Sequence, residues 1–112
     1  MNATSADSIR NPVNVLITKN EMQQLIDAGY DGMTPIVKLF AGPVTWLLTG
    51  IDEDGIAYGI CDLSMGCCEF GGICEVSELA TLKVGPFWLE RDRWFKHVEG
   101  TNYLALDTLA GI

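Results

Sequence analysis

The sequence predicts a single α+β domain: an antiparallel sheet of about four strands with an N-terminal helix and short C-terminal helices. Two patterns carry that expectation. A capped amphipathic segment ends at Gly29, and four runs rich in β-branched, aromatic and apolar residues follow it, separated by Gly-Pro and Asp-Gly turn signals. Length agrees, because 112 residues suffice for one core and not for two ordinary ones. Hydrophobic residues at 48% and charged residues at 20% make the composition globular rather than disordered.

Residues 1–13 lack periodicity and read as a flexible arm, leaving residues 14–112 as the domain. The first element has a clear start. Thr18 is placed to cap a helix, Glu21 stands three residues on to complete a capping box, and Ile17 can staple onto Met22. Met22, Leu25 and Ile26 form one apolar stripe, and Gly29 stands where a helix over about 19–28 should end.

Residues 30–35 are turn material. Two strands are expected over 36–41 and 44–50, reversing at Gly42-Pro43; Ile36, Val37, Leu39 and Phe40 do not alternate, which suggests a first strand covered on both faces. Asp52-Glu53-Asp54-Gly55 is an acidic turn before a third strand over 56–62, and 69–76 reads as the fourth. Gly71-Gly72 marks a bulge or a close approach rather than a phosphate loop. Residues 76–83 look like a short helical turn with Ser77 as cap, and 101–112 like a terminal helix.

All four cysteines fall within CDLSMGCCEFGGIC. With the loop centred between Cys67 and Cys68, Cys61 and Cys74 would face each other across the third and fourth strands. Free thiols are the preferred reading. Five-residue gaps around an adjacent pair do not match the short knuckles of a zinc site, and a reducing compartment disfavours disulfides. A small zinc-binding module therefore stands as an alternative, and no metal or other cofactor is assigned.

The net charge of −8 disfavours direct binding of nucleic acid, whose affinity comes from Lys and Arg displacing counterions. Charge is also unevenly placed. No Lys or Arg occurs from Leu39 to Leu82, where Asp52, Glu53, Asp54, Asp62, Glu69, Glu75 and Glu78 all lie. A solvated face is the plain reading, and an acidic face for a basic partner is the sharper one. Trp88, Arg91, Arg93 and Trp94 join the candidates, since Trp and Arg are the usual anchors of binding hot spots. Glu90-Arg91-Asp92-Arg93 is expected to form local ion pairs, with its aromatic flanks in the core.

No motif of a nucleotide-binding or hydrolytic enzyme is present, and His97 is the only histidine. A cysteine-dependent enzyme pairing Cys68 with His97 is a further alternative, without local support. No apolar run approaches the ~20 residues that span a bilayer, and MNATSADSIRNP lacks the pattern of a signal peptide, so a cytoplasmic location is expected.

A set of short motifs then comes in order: Leu16 with Thr18-Lys19, Val37-Lys38 with Phe40, Thr45-Trp46, Tyr58-Gly59-Ile60, Gly71 through Leu79, and Glu90-Arg91-Asp92 with Phe95. Over residues 15–96 this resembles the domain of unknown function 2958 family. That family's pattern has a V-K-x-F strand, a T-W strand, an F-G-L strand and a closing E-R-D-x-x-F. The resemblance implies a small α+β protein of phages, plasmids and conjugative elements, supplies no catalytic residue, and does not include the cysteines. Together with the acidic mid-chain it suggests a non-enzymatic protein that binds a host protein in the host cytoplasm. The concrete version is an anti-defence inhibitor, anti-CRISPR-like, that blocks a nucleic-acid-binding surface.

Overall fold

The computed structural model describes the backbone of residues 12–62 and 68–96 and, apart from positions 62, 68 and 69, their side chains. Residues 1–11 of the expected arm over 1–13, the centre of the cysteine loop and the expected helix over 101–112 lie outside those residues.

The chain opens with a one-turn helix, α1 (Val13–Leu16), that the sequence pattern did not announce. Four residues are too few to show a helical period. Its backbone closes through the Leu16 and Ile17 amides onto the Pro12 and Val13 carbonyls. Helix α2 (Lys19–Ala28) follows with the expected capping box: the Glu21 amide donates to Thr18 Oγ1 at 3.2 Å, and the Thr18 amide donates to Glu21 Oε1 at 2.9 Å. Gly29 ends it at φ 72.

The sheet has five strands, all antiparallel, in the order β4 (Cys68–Glu75), β3 (Ile56–Asp62), β2 (Val44–Ile51), β1 (Val37–Ala41) and β7 (Glu90–Arg91). β1 (Val37–Ala41) and β2 (Val44–Ile51) reverse through Gly42-Pro43 as expected. β3 (Ile56–Asp62) and β4 (Cys68–Glu75) continue the meander. A 3₁₀ helix (Val76–Thr81) and a small hairpin of β5 (Lys83–Val84) and β6 (Phe87–Trp88) then carry the chain back across the sheet. The two-residue β7 (Glu90–Arg91) pairs with Leu39 and Phe40 and forms the far edge. A strand this short has no readable alternation, so only four were legible.

One face of the sheet carries the main core. Leu16, Ile17, Leu25 and Leu79 from the helices close over Val37, Leu39, Trp46, Leu48 and Ala57 from the strands, and all are buried. On the other face Leu47 and Ile60 pack with Phe70 and Phe95. β1 is accordingly covered on both sides, with Lys38 only 8% exposed between its apolar neighbours.

Two register irregularities shape the surfaces. Pairing slips between Leu48 and Gly50, leaving Thr49 as an extra residue whose hydroxyl donates to the Tyr58 carbonyl at 3.3 Å. Gly50 is thereby set against the end of α2: a Cβ there would lie 1.8 Å from the Gly29 oxygen, so no larger residue fits without separating helix from sheet. A second slip, between Ala57 and Tyr58, leaves Ile73 unpaired between Gly72 and Cys74, one residue beyond the glycine pair that signalled a bulge.

The cysteine register corrects an expectation. Cys61 pairs with Glu69 and Cys74 with Ala57, so the two thiols are not opposite each other. Asp62 pairs with Cys68, so the register of β3 and β4 is displaced from one centred between Cys67 and Cys68.

Candidate partner-binding surface

An open groove of about 620 Å³ lies where the end of α2 meets the β2–β3 turn. Ile26, Gly29 and Tyr30 form one wall; Ile51, Asp52, Glu53, Asp54 and Tyr58 form the rest. Its geometry begins with Asp52. One carboxylate oxygen accepts from the Asp54 and Ile56 amides, both at 2.9 Å, and so fixes the turn. The other accepts from the Tyr58 hydroxyl at 3.2 Å. The Tyr58 ring meets Tyr30 edge to face, with centroids 6.3 Å apart. Burial, the bond to Asp52 and the charges of Asp52 and Asp54 push the Tyr58 phenol above its ordinary range, so it stays a neutral donor.

The groove is apolar inside and acidic at its rim. Tyr30 is 64% exposed and Ile26 52% exposed, although Ile26 had been expected on the buried stripe of α2. Leu25 takes the buried position and Met22 is half-buried beside it. Glu53 and Asp54 are exposed at the turn tip.

The candidate carboxylates divide between two ends of the sheet. Glu75 pairs with Ile56, and the Val76 amide donates to the Gly55 carbonyl at 2.8 Å, so Glu75 and the nearby Glu78 join Asp52, Glu53 and Asp54 at one end. Asp62 and Glu69 sit by register at the opposite end, beside Cys68 and Cys61. A single acidic face containing all seven does not form.

The candidate aromatic and basic anchors also separate. Trp88 is half-buried under Lys83, whose Nζ lies 5.0 Å from the ring centroid. Trp94 is 88% exposed, while Phe95 packs against the second core cluster. Arg93 is exposed beside Val15, Thr18 and Glu90. Arg91 turns inward. Its guanidinium meets Glu21 in a bidentate pair at 2.6 and 2.8 Å and also donates to the Leu16 carbonyl at 3.1 Å. Lys38 Nζ lies 3.3 Å from the Asp92 carboxylate. The pairs of this segment are therefore long-range in sequence, not local, and they tie β7 and the turn after it to α2 and β1.

These contacts unite the motifs found in the sequence. The helix start supplies Thr18, the V-K strand supplies Lys38, and the E-R-D segment supplies Arg91 and Asp92. The family described as "Protein of unknown function (DUF2958)" matches residues 10–111. The chain belongs to that family. No curated protein and no solved structure matches it. In this DUF2958 protein the motif residues Lys38, Arg91 and Asp92 fasten its elements together, and Thr18 closes the start of α2.

Among the described cysteines, Cys74 lacks the environment that activates a thiol. Cys61 and Cys74 are half-buried against the main core. Burial, then the charges of Glu78 and Glu75, push the Cys74 thiol up, opposite to what a nucleophile requires. No cluster of three or more His, Cys, Asp or Glu side chains converges among the described residues. Among those residues, too, no helix is long and apolar enough to cross a membrane.

Sequence patterns missed Tyr30, Tyr58 and Ile51 as groove residues. Nothing in the order of residues reports that Gly50 draws the end of α2 onto the acidic turn. The one local signal was a tyrosine after Gly29, just past the helix end, in turn material where a large ring has no core to enter.

Proposed function

We propose that this protein is a non-enzymatic binding domain that engages a basic surface of a host protein in the host cytoplasm. One observation carries the reading: Glu53, Asp54, Glu75 and Glu78 stand exposed together at one end of the sheet, in a stretch of chain that holds no Lys or Arg. Family membership supports it indirectly, since the resemblance implies genes carried on phages and other mobile elements. The concrete form is an anti-defence inhibitor whose carboxylates occupy a surface that a defence complex uses for nucleic acid. The free protein then competes with phosphate backbones for the same cations.

A plaque assay tests this. Phage is plated on cells that carry a nucleic-acid-guided defence system and express either the wild-type chain or Glu53→Lys/Asp54→Lys. Protection by the wild type and its loss in the reversed variant, at equal expression, is the expected result. Equal plaquing with both proteins, or none with either across the defence systems of a native host, overturns the reading.

A further inference from the structure

The groove between α2 and the β2–β3 turn offers more than a negative charge. Its interior is aromatic and aliphatic, with Tyr30 and Ile26 largely uncovered, and Tyr58 is held in place by Asp52. Its rim carries Glu53 and Asp54, whose side chains are exposed while Asp52 is occupied in the turn. No Lys or Arg lines it among the described residues. An anionic ligand would meet only repulsion here. A divalent cation needs several converging ligands, and no group of three or more His, Cys, Asp or Glu side chains converges among the described residues.

The ligand that matches both properties has a long apolar stem and a delocalised positive end that lies flat on an aromatic ring. That is the arginine side chain, and less well lysine. We propose that the groove receives an arginine side chain from an extended basic segment of the protein partner. The stem lies along Ile26 and Ile51, the guanidinium lies on the open face of Tyr30, and its outer N–H groups donate to the carboxylates of Glu53 and Asp54. The inference rests on the reading of this protein as a binder of basic protein surfaces and assigns that binding to one place. Glu75 and Glu78 then make the local potential more negative without touching the anchor, and the far carboxylates Asp62 and Glu69 take no part.

The test is an NMR titration of the isotope-labelled full chain with a capped heptapeptide bearing two arginines between glycines. The matching glutamate and lysine peptides serve as controls. Saturable amide shifts confined to residues 26–30 and 51–58 are expected with arginine, weaker ones with lysine and none with glutamate. Tyr30→Ala should weaken the arginine peptide about tenfold although the net charge is unchanged, and Glu53→Gln/Asp54→Asn by a similar factor. Both sites are exposed, and a thermal melt verifies that each variant is folded. Shifts centred on Glu75 and Glu78, affinity indifferent to Tyr30→Ala, or no saturable binding of the arginine peptide overturns the groove as the anchor site. None of these touches the plaque assay, which alone decides whether the acidic end recognises a host protein.

Discussion

The corner where β7 meets α2 and the groove at the other end of α2 both hold carboxylates, and they use them differently. At the corner every carboxylate with a structural contact has a cation from a distant element: Glu21 with Arg91 and Asp92 with Lys38. At the groove Asp52 is taken up by amides and a phenol, and Glu53 and Asp54 face solvent. At the corner Lys38, Arg91 and Asp92 come from the family motifs, and Glu21 stands just after the helix-start motif. Glu53, Asp54 and Tyr30 lie outside those motifs, whereas Tyr58, which also lines the groove, lies within one. A carboxylate in this fold is held where another element brings it a cation or, like Asp52, where it accepts from its own turn, and it stays exposed where neither occurs.

The largest disturbance should come from the contact on which the groove is built. Gly50→Ala places a methyl group against the Gly29 carbonyl and must push α2 off the sheet, costing about 3 kcal/mol in chemical denaturation. Both regions lean on α2, so both should loosen; an unchanged midpoint would show that α2 is not fixed there.

Arg91→Ala isolates the corner. It leaves Glu21 and the Leu16 carbonyl without their donor in a partly shielded site, and a loss of about 2 kcal/mol is expected, less than for a fully buried pair. Arg91→Lys should recover only part, because an ammonium cannot make the two parallel bonds. The same corner sets an acid limb. The Arg91 bond, with help from the Thr18 amide and against the effect of burial, holds Glu21 below its ordinary value of 4.5. A depressed carboxylate gives its full stability above that ordinary value and loses it as pH falls through the lower folded value. Stability measured from pH 6 downward should therefore fall from about pH 4.5, and Glu21→Gln should flatten that part of the curve while lowering the plateau.

The difference between the regions also marks what could be read in advance. The capping box, the Gly29 stop, the Gly42-Pro43 reversal and the acidic turn are local devices, and each was legible because its residues are neighbours in sequence. The short pieces were not: α1 and β7 exist because Leu16, Leu89 and Arg91 find partners far along the chain. The cysteine pairing failed for a related reason, since a shift in the turn centre moves every cross-strand partner, and periodicity cannot locate that centre. The acidic character of the candidate surface came from composition. Its division into two ends, and the ring-lined groove at one of them, came from register and from the close approach at Gly50.

The smallest effect on folding is expected at the groove itself, and it is the sharpest check on the contrast. Glu53→Gln/Asp54→Asn should change stability by no more than about 0.5 kcal/mol, since neither side chain is held by a cation, whereas the loss of Arg91 at the corner is several times larger. A quieter readout is available in Tyr58. Its phenol is raised first by burial and the Asp52 bond, then by the charges of Asp52 and Asp54. Asp54→Asn alone should bring it partway back toward its ordinary value of 10.0, visible in an ultraviolet titration, while Asp92→Asn at the corner should leave it unmoved. A phenol that ignores Asp54 would place that carboxylate's charge outside the groove. The rim would then keep only the Glu53 carboxylate.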